Sequence, residues 1–294
     1  MLLTIDVGNT NTVLGVFNGA TLMESWRIKT DARSTADELA LTFRGLLHEQ
    51  RITGTAACST VPAVLRELRV MLDRYYPGLP TLIVEPGVRT GVPLLYDNPK
   101  EVGPDRIVNA LAAFALYGGP SVVVDFGTST NFDVVSARGE FLGGALAPGI
   151  EISIDALAAR GARLFKIEPV RPRSVIGKST VEALQSGVLF GFAGQVDGLV
   201  RRIAAELGAS PTVVATGGLA SLVMAECETI RYHEPNLTLI GLRLVFDKNQ
   251  PIPTAHPAPP LAAETGALTA AVRGDRPTPA ATERGGAAGG QGRR

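Results

Sequence analysis

The chain has 294 residues, enough for two domains of ordinary size with filled cores. Its 28 lysines and arginines balance its 28 aspartates and glutamates, so no global basic field draws it to nucleic acid, and no apolar run reaches membrane-spanning length. Two cysteines, Cys58 and Cys227, stand far apart with no Cys-x-x-Cys pair, which argues against a disulfide framework or a cysteine zinc site; a cytoplasmic protein with a small-molecule partner is the expectation.

The N-terminus enters a strand directly, with no leader segment expected before it. That strand runs into Asp6-Val7-Gly8-Asn9-Thr10-Asn11-Thr12-Val13, an Asp-x-Gly turn rich in hydroxyl and amide groups. Asn18-Gly19 is a two-residue turn signal, and residues 21 to 29 read as a third strand of one meander. Ser34, three residues before Asp37, suggests a capping box for a helix through Gln50 whose apolar positions include Leu39, Phe43, Leu46 and Leu47. A strand at residues 55 to 58, a helix opened by Ser59, Thr60 and Pro62, and a strand at residues 81 to 84 complete a βββαβαβ unit.

Residues 85 to 103 form a long Pro- and Gly-rich loop carrying Tyr96, Asn98 and Pro99, and loops of that length are often functional. Pro104 suits the first turn of the next helix and puts Asp105 and Arg106 there. Asp105 has two readings: a helix-start anion without further role, or the carboxylate that accepts a substrate hydroxyl proton. Arg106 beside it offers a two-pronged contact for a substrate carboxylate.

Residues 121 to 135 then repeat the opening pattern: an apolar strand into Asp125, the turn Gly127-Thr128-Ser129-Thr130, and a return strand through Asp133. One such turn is ordinary hairpin chemistry; two copies suggest a duplicated domain, with glycine for close backbone approach and hydroxyl and amide donors for phosphate. A strand from Phe141, a helix from Ile150 to Ala159, and an irregular basic stretch with Arg163, Lys166, Arg171, Arg173 and Lys178 follow. Gly177-Lys178-Ser179 lacks the spacing of a Walker A loop, and Thr180 begins a helix to Leu207, where an N-cap is its simplest role. Gly187, Gly191, Gly194 and Gly198 recur at helical spacing in it, a costly choice unless a neighbour, such as a partner subunit, packs closely there. Thr216-Gly217-Gly218 after a strand is either a plain turn or a loop over which an adenosine lies. His48, His233 and His256 have no partners at metal-ligand spacing, a last helix runs from Leu237 to Phe246, and residues 249 to 294 read as a disordered tail, with a transient helix at 261 to 272.

The paired turns resemble the sugar kinase, actin and Hsp70 superfamily, an α/β fold of two duplicated ribonuclease-H-like lobes with a cleft between them. On that model residues 1–118 form the first lobe and residues 119–248 the second. Asp6 to Thr10, Tyr96 with Asn98-Pro99, Gly103-Pro104-Asp105-Arg106, Val124 to Thr128 and Gly177 to Thr180, in that order, narrow the resemblance to type III pantothenate kinases. The resemblance implies ATP-dependent phosphorylation of pantothenate, the first step of coenzyme A synthesis. It further implies that residues 6 to 13 and Thr128 bind ATP, with magnesium, and that Asp125 holds potassium or ammonium. Asp105 would be the base, and Tyr96, Gly103, Pro104, Asp105, Arg106 and Thr180 would bind pantothenate in a homodimer whose substrate site lies at the subunit interface. Asn131 stands where the family usually has threonine, and retained activity is expected. Another small-molecule or acyl-phosphate-forming kinase of this fold, or a nucleotide-dependent regulator, remains an alternative.

Overall fold

A computed structural model describes residues 1–48, 50–161 and 166–250. The expected tail beyond residue 250, with its transient helix and His256, lies outside the described residues, as does Arg163.

The first half opens as the meander β1 (Leu2–Val7), β2 (Asn11–Asn18) and β3 (Thr21–Lys29), followed by α1 (Ala36–Leu47), β4 (Gly54–Ser59), α2 (Pro62–Tyr75) and β5 (Thr81–Ile83). Its sheet has the order β3-β2-β1-β4-β5, with β4 parallel to β1. After α3 (Pro104–Tyr117), a second meander follows in β6 (Ser121–Phe126), β7 (Ser129–Val135) and β8 (Phe141–Pro148). Then come α4 (Ile150–Arg160), α5 (Thr180–Leu207), β9 (Thr212–Thr216), the short α6 (Ala220–Val223), β10 (Tyr232–His233) and α7 (Leu237–Asn249). The second sheet has the order β8-β7-β6-β9-β10, read from the same end, with β9 parallel to β6. The duplication inferred from two Asp-x-Gly turns therefore extends to the strand order, and Asp6 and Asp125 end equivalent central strands.

Packing divides the molecule into five layers. Leu3, Ile5 and Val7 of β1 turn one face of the first sheet to Leu39 and Phe43 of α1 and Leu68 and Met71 of α2. On its other face α3 and α7 form a shared middle layer that packs on β4 through Val108 and Leu242, and on β6 and β9 through Ala112, Ala113 and Leu237. Beyond the second sheet lie α4, α5 and α6. The two middle helices approach closely because residue 241 is glycine: a Cβ there would collide with the Val108 carbonyl oxygen.

Several local expectations are corrected. The α1 capping box is Thr35 with Glu38, not Ser34 with Asp37: the Thr35 hydroxyl accepts from the Glu38 N–H, and the Glu38 carboxylate accepts from the Thr35 N–H. That helix ends at Leu47, short of Gln50. Ser179, not Thr180, caps α5, its hydroxyl accepting from Glu182 N–H at 3.2 Å, so Thr180 is the first helical residue. The segment around Arg231 to Pro235 contains the two-residue strand β10. The glycine face of α5 meets no neighbour among the described residues, since a Cβ at Gly187, Gly191 or Gly194 would touch none of them within 4 Å.

Candidate active site

Each Asp-x-Gly turn closes on itself before it faces the other. Gly8 N–H donates to Asn11 O at 3.0 Å and Gly127 N–H to Ser129 O at 3.0 Å, which tightens both hairpins. The turns then meet across a cleft of about 510 Å³, with the Thr10 and Thr128 hydroxyl oxygens 3.2 Å apart. Asp6, Gly8, Asn9, Thr10, Asn11 and Val13 line the cleft. Val7 and Thr12 point elsewhere: Val7 is in the core against α1 and α2, and the Thr12 hydroxyl bonds that of Thr30 at 2.9 Å, so these two offer only backbone to a ligand. Gly217 and Gly218 form part of the opposite wall. Gly217 sits at φ +90° with the Asp125 carboxylate where its Cβ would be, 2.5 Å away, so only glycine lets this turn fold over Asp125.

Carboxylates collect at the base of the cleft. Burial, with repulsion from Asp105 behind it, pushes Asp6 up to about 7. Asp125 rises to about 8 for the same leading reason, with Asp105, Asp133 and Asp6 adding to it. Asp105, at the N-terminal turn of α3, is likewise raised by burial, and its Oδ1 is buried with no hydrogen-bond partner among the described residues. Such groups await a cation or a donor proton. The supports are specific: Cys58 S–H points at Asp6 Oδ1 at 3.4 Å, Asn109 on α3 reaches Asp125 at 3.4 Å, and Thr238 on α7 holds the Asn109 carbonyl at 2.9 Å. Among the described residues no three His, Cys, Asp or Glu side chains converge as a self-sufficient metal site. A cation here would complete its shell with oxygens from its ligand, as magnesium commonly does with nucleotide phosphates.

The expected substrate residues divide into two groups. Arg106 is buried and paired: its Nε and Nη2 donate to Asp133 Oδ1 at 2.7 and 2.6 Å, and its guanidinium lies 5.2 Å from the centre of the Phe141 ring. Tyr96 packs on the same ring, 6.1 Å between centres. Tyr96 and Arg106 are thereby held on one aromatic platform, and a carboxylate arriving at Arg106 would share it with Asp133. Asp133 itself is raised to about 6, chiefly by burial. Gly103 caps α3, and a Cβ there would strike the Asp105 carboxylate; Pro104 is the first helical residue. Thr180 stands exposed at the start of α5, outside the cleft of its own chain. Asn131, facing Asp125 across the β6–β7 ladder, lines the cleft and accepts from the Ser129 hydroxyl at 2.7 Å.

Arg27, Cys58, Asn109, Asp133 and Thr238 escaped the reading of the sequence as site residues. Cys58 was accessible in principle, because β4 runs parallel to β1 and puts it directly beside Asp6. Asn109 lies one helical turn after Asp105, on the same face of α3. Asp133 and Thr238 carry no local signal.

A family model for type III pantothenate kinase matches residues 2–202. A type III pantothenate kinase from Frankia alni is 72% identical over 249 residues, covering 85% of this chain and 100% of the relative. One from Salinispora arenicola is 70% identical over 251 residues, again covering 85% and 100%. In fold, the chain is similar to a Baf family protein from Campylobacter jejuni (TM-score 0.55, 18% identity, 84% of this chain and 98% of that one). It is similar also to the activator of 2-hydroxyisocaproyl-CoA dehydratase from Clostridium difficile, solved with bound ADPNP (TM-score 0.51, 13% identity, 84% and 94%). Two facing Asp-x-Gly turns on duplicated sheets, joined to close sequence identity along nearly the whole length of these relatives, place the chain in the type III pantothenate kinase family.

Proposed function

We propose that this chain transfers the terminal phosphoryl group of ATP to the primary hydroxyl of pantothenate, the first step of coenzyme A synthesis. The observation that carries the reading is the meeting of Thr10 and Thr128 above three half-buried carboxylates, Asp6, Asp105 and Asp125, of which Asp105 opens a helix. Hydroxyl and backbone N–H donors from both turns hold the polyphosphate between the sheets. The Gly217-Gly218 wall leaves room for the flat base, in keeping with the nucleotide analogue bound by the Clostridium difficile fold neighbour. Asp105, made more basic by burial, accepts the hydroxyl proton as the bond to phosphorus forms. Arg106 and Tyr96 receive the acidic end of pantothenate on the Phe141 platform, with Gly103 and Pro104 shaping the approach to Asp105.

Asp125 would hold a monovalent cation, potassium or ammonium, and magnesium would enter with ATP; both would supply positive charge to offset that of the polyphosphate. The raised Asp6 and Asp125 fit this, since a cation beside either would offset the burial that raises it. The enzyme works as a cytoplasmic homodimer. The uncovered glycine face of α5 and exposed apolar residues nearby, Val175 and Ile176, fit a partner seated there and would bring Thr180 to the partner's substrate. The test is ATP-dependent phosphorylation of pantothenate by purified protein with magnesium, with and without potassium. Potassium-dependent product is expected; protein that binds ATP yet leaves pantothenate unchanged under every cation refutes the substrate assignment.

A further inference from the structure

Cys58, Asp6, Val13 and Arg27 form one row across the first sheet, each paired with the next on β4, β1, β2 and β3. Arg27 is thus two strands from Asp6, roughly 10 Å between backbones at the usual strand spacing. Its neighbours Trp26 and Ile28 pack toward α1 and α2, so alternation turns Arg27 to the opposite face, the face of the cleft. There its guanidinium reaches the far wall, with Nη1 only 3.0 Å from where a Cβ on Gly218 would be. Among the described residues it is the only lysine or arginine lining a cleft that holds Asp6, Asp105, Asp125 and Glu151. None of the ion pairs among the described residues engages it.

An exposed strand that needed only solubility could carry its charge anywhere along its outer face. A lone, unpaired guanidinium bridging two walls of an acidic cleft has a narrower use. We propose that Arg27 is a phosphate-binding residue, closing over the polyphosphate of the nucleotide from the side opposite the two turns. Its planar fork suits two phosphate oxygens at once, and it spans the turn-bearing sheet and the Gly217-Gly218 wall, so a bound triphosphate is gripped from both. The inference rests on the reading of this cleft as an ATP site and deepens it by naming the group that offsets the nucleotide's charge on the protein side.

The test is calorimetric titration of ATP, ADP and adenosine into wild-type protein and the Arg27→Gln and Arg27→Lys variants, with melting curves to establish that each variant is folded. Arg27→Gln is expected to weaken ATP and ADP by roughly 10- to 100-fold, the range for a charge-assisted bond to phosphate, and to leave adenosine within about twofold. Arg27→Lys should recover part of the loss, and the difference between wild type and Arg27→Gln should shrink as salt rises. Equal losses for adenosine and ATP would mean that Arg27 contacts the base, and unchanged ATP binding would make it a bystander; either overturns the inference. Wild-type protein that does not bind ATP would instead overturn the nucleotide reading of the cleft itself.

Discussion

Asp105→Asn separates chemistry from binding with almost no change of shape. Among the described residues Asp105 Oδ1 has no hydrogen-bond donor to lose, and Thr10 and Thr128 do not depend on it, so the cleft persists and the Michaelis constant for ATP should stay within about threefold. What disappears is the proposed proton acceptor. General-base catalysis is worth roughly 10²- to 10⁴-fold, or about 3 to 5 kcal/mol at about 1.4 kcal/mol per decade, and kcat should fall by that factor. A second effect runs the other way. Asp105 helps to raise both Asp6 and Asp125, so its neutralisation lets both ionise at lower pH, and magnesium-dependent ATP binding should persist to more acidic conditions than in wild type. Steady-state rates in a coupled ADP assay, with parallel titrations between pH 5.5 and 8.5, read both effects. A variant whose kcat stays within tenfold of wild type, or whose ATP affinity falls as far as its kcat, would refute Asp105 as the base.

Folded-state values near 7 for Asp6 and near 8 for Asp125, against about 3.8 when unfolded, mean that the empty folded chain binds more protons than the unfolded one. Their contribution to stability is therefore full below about pH 4 and is lost as pH rises through 8, so the melting temperature of Asp125→Asn relative to wild type should climb over that window without ligand; a constant difference would contradict it. Asp197 on α5 accepts from the N–H groups of Glu228 and Thr229 and from the Thr229 hydroxyl, all at 2.7 to 3.1 Å. Asp197→Ala should cost about 2 to 4 kcal/mol in urea unfolding, and a cost under about 0.5 would mean that water replaces the carboxylate freely. A Cβ at Gly191 meets nothing among the described residues, so Gly191→Leu should leave the fold intact yet split the proposed homodimer in light scattering; an intact dimer would place its interface elsewhere.

The legibility of this molecule in its sequence followed the range of the signal. The two Asp-x-Gly turns announced themselves because each is contiguous and each sits in the same strand-turn-strand frame. The α1 cap slipped by one residue because Ser34/Asp37 and Thr35/Glu38 are both plausible; distant Glu67, which accepts the Ala36 N–H at 3.1 Å, favours the second frame. Arg27 was hidden by a register shift between Val16 and Phe17. Counting back from the Asn18-Gly19 turn sets Trp26 opposite Val13, and the bulge substitutes Arg27, exchanging an apolar side chain for a cation on the cleft face. Arg106 and Asp133 are adjacent only once α3 lies on β7, so nothing in the order of residues pairs them. Likewise β10 is too short to show alternation and exists because β9 offers it an edge.

The contact of Gly241 with Val108 has a thermodynamic consequence. Because α3 and α7 contribute to the cores on both sides of them, neither sheet keeps a closed core when the middle layer is lost. Duplicated halves often melt one after the other; here they share their most buried helices, and the two should unfold as one cooperative unit, with calorimetric and van't Hoff enthalpies in agreement. Gly241→Ala, which drives a methyl into a backbone carbonyl, should loosen that coupling and divide the single endotherm into two.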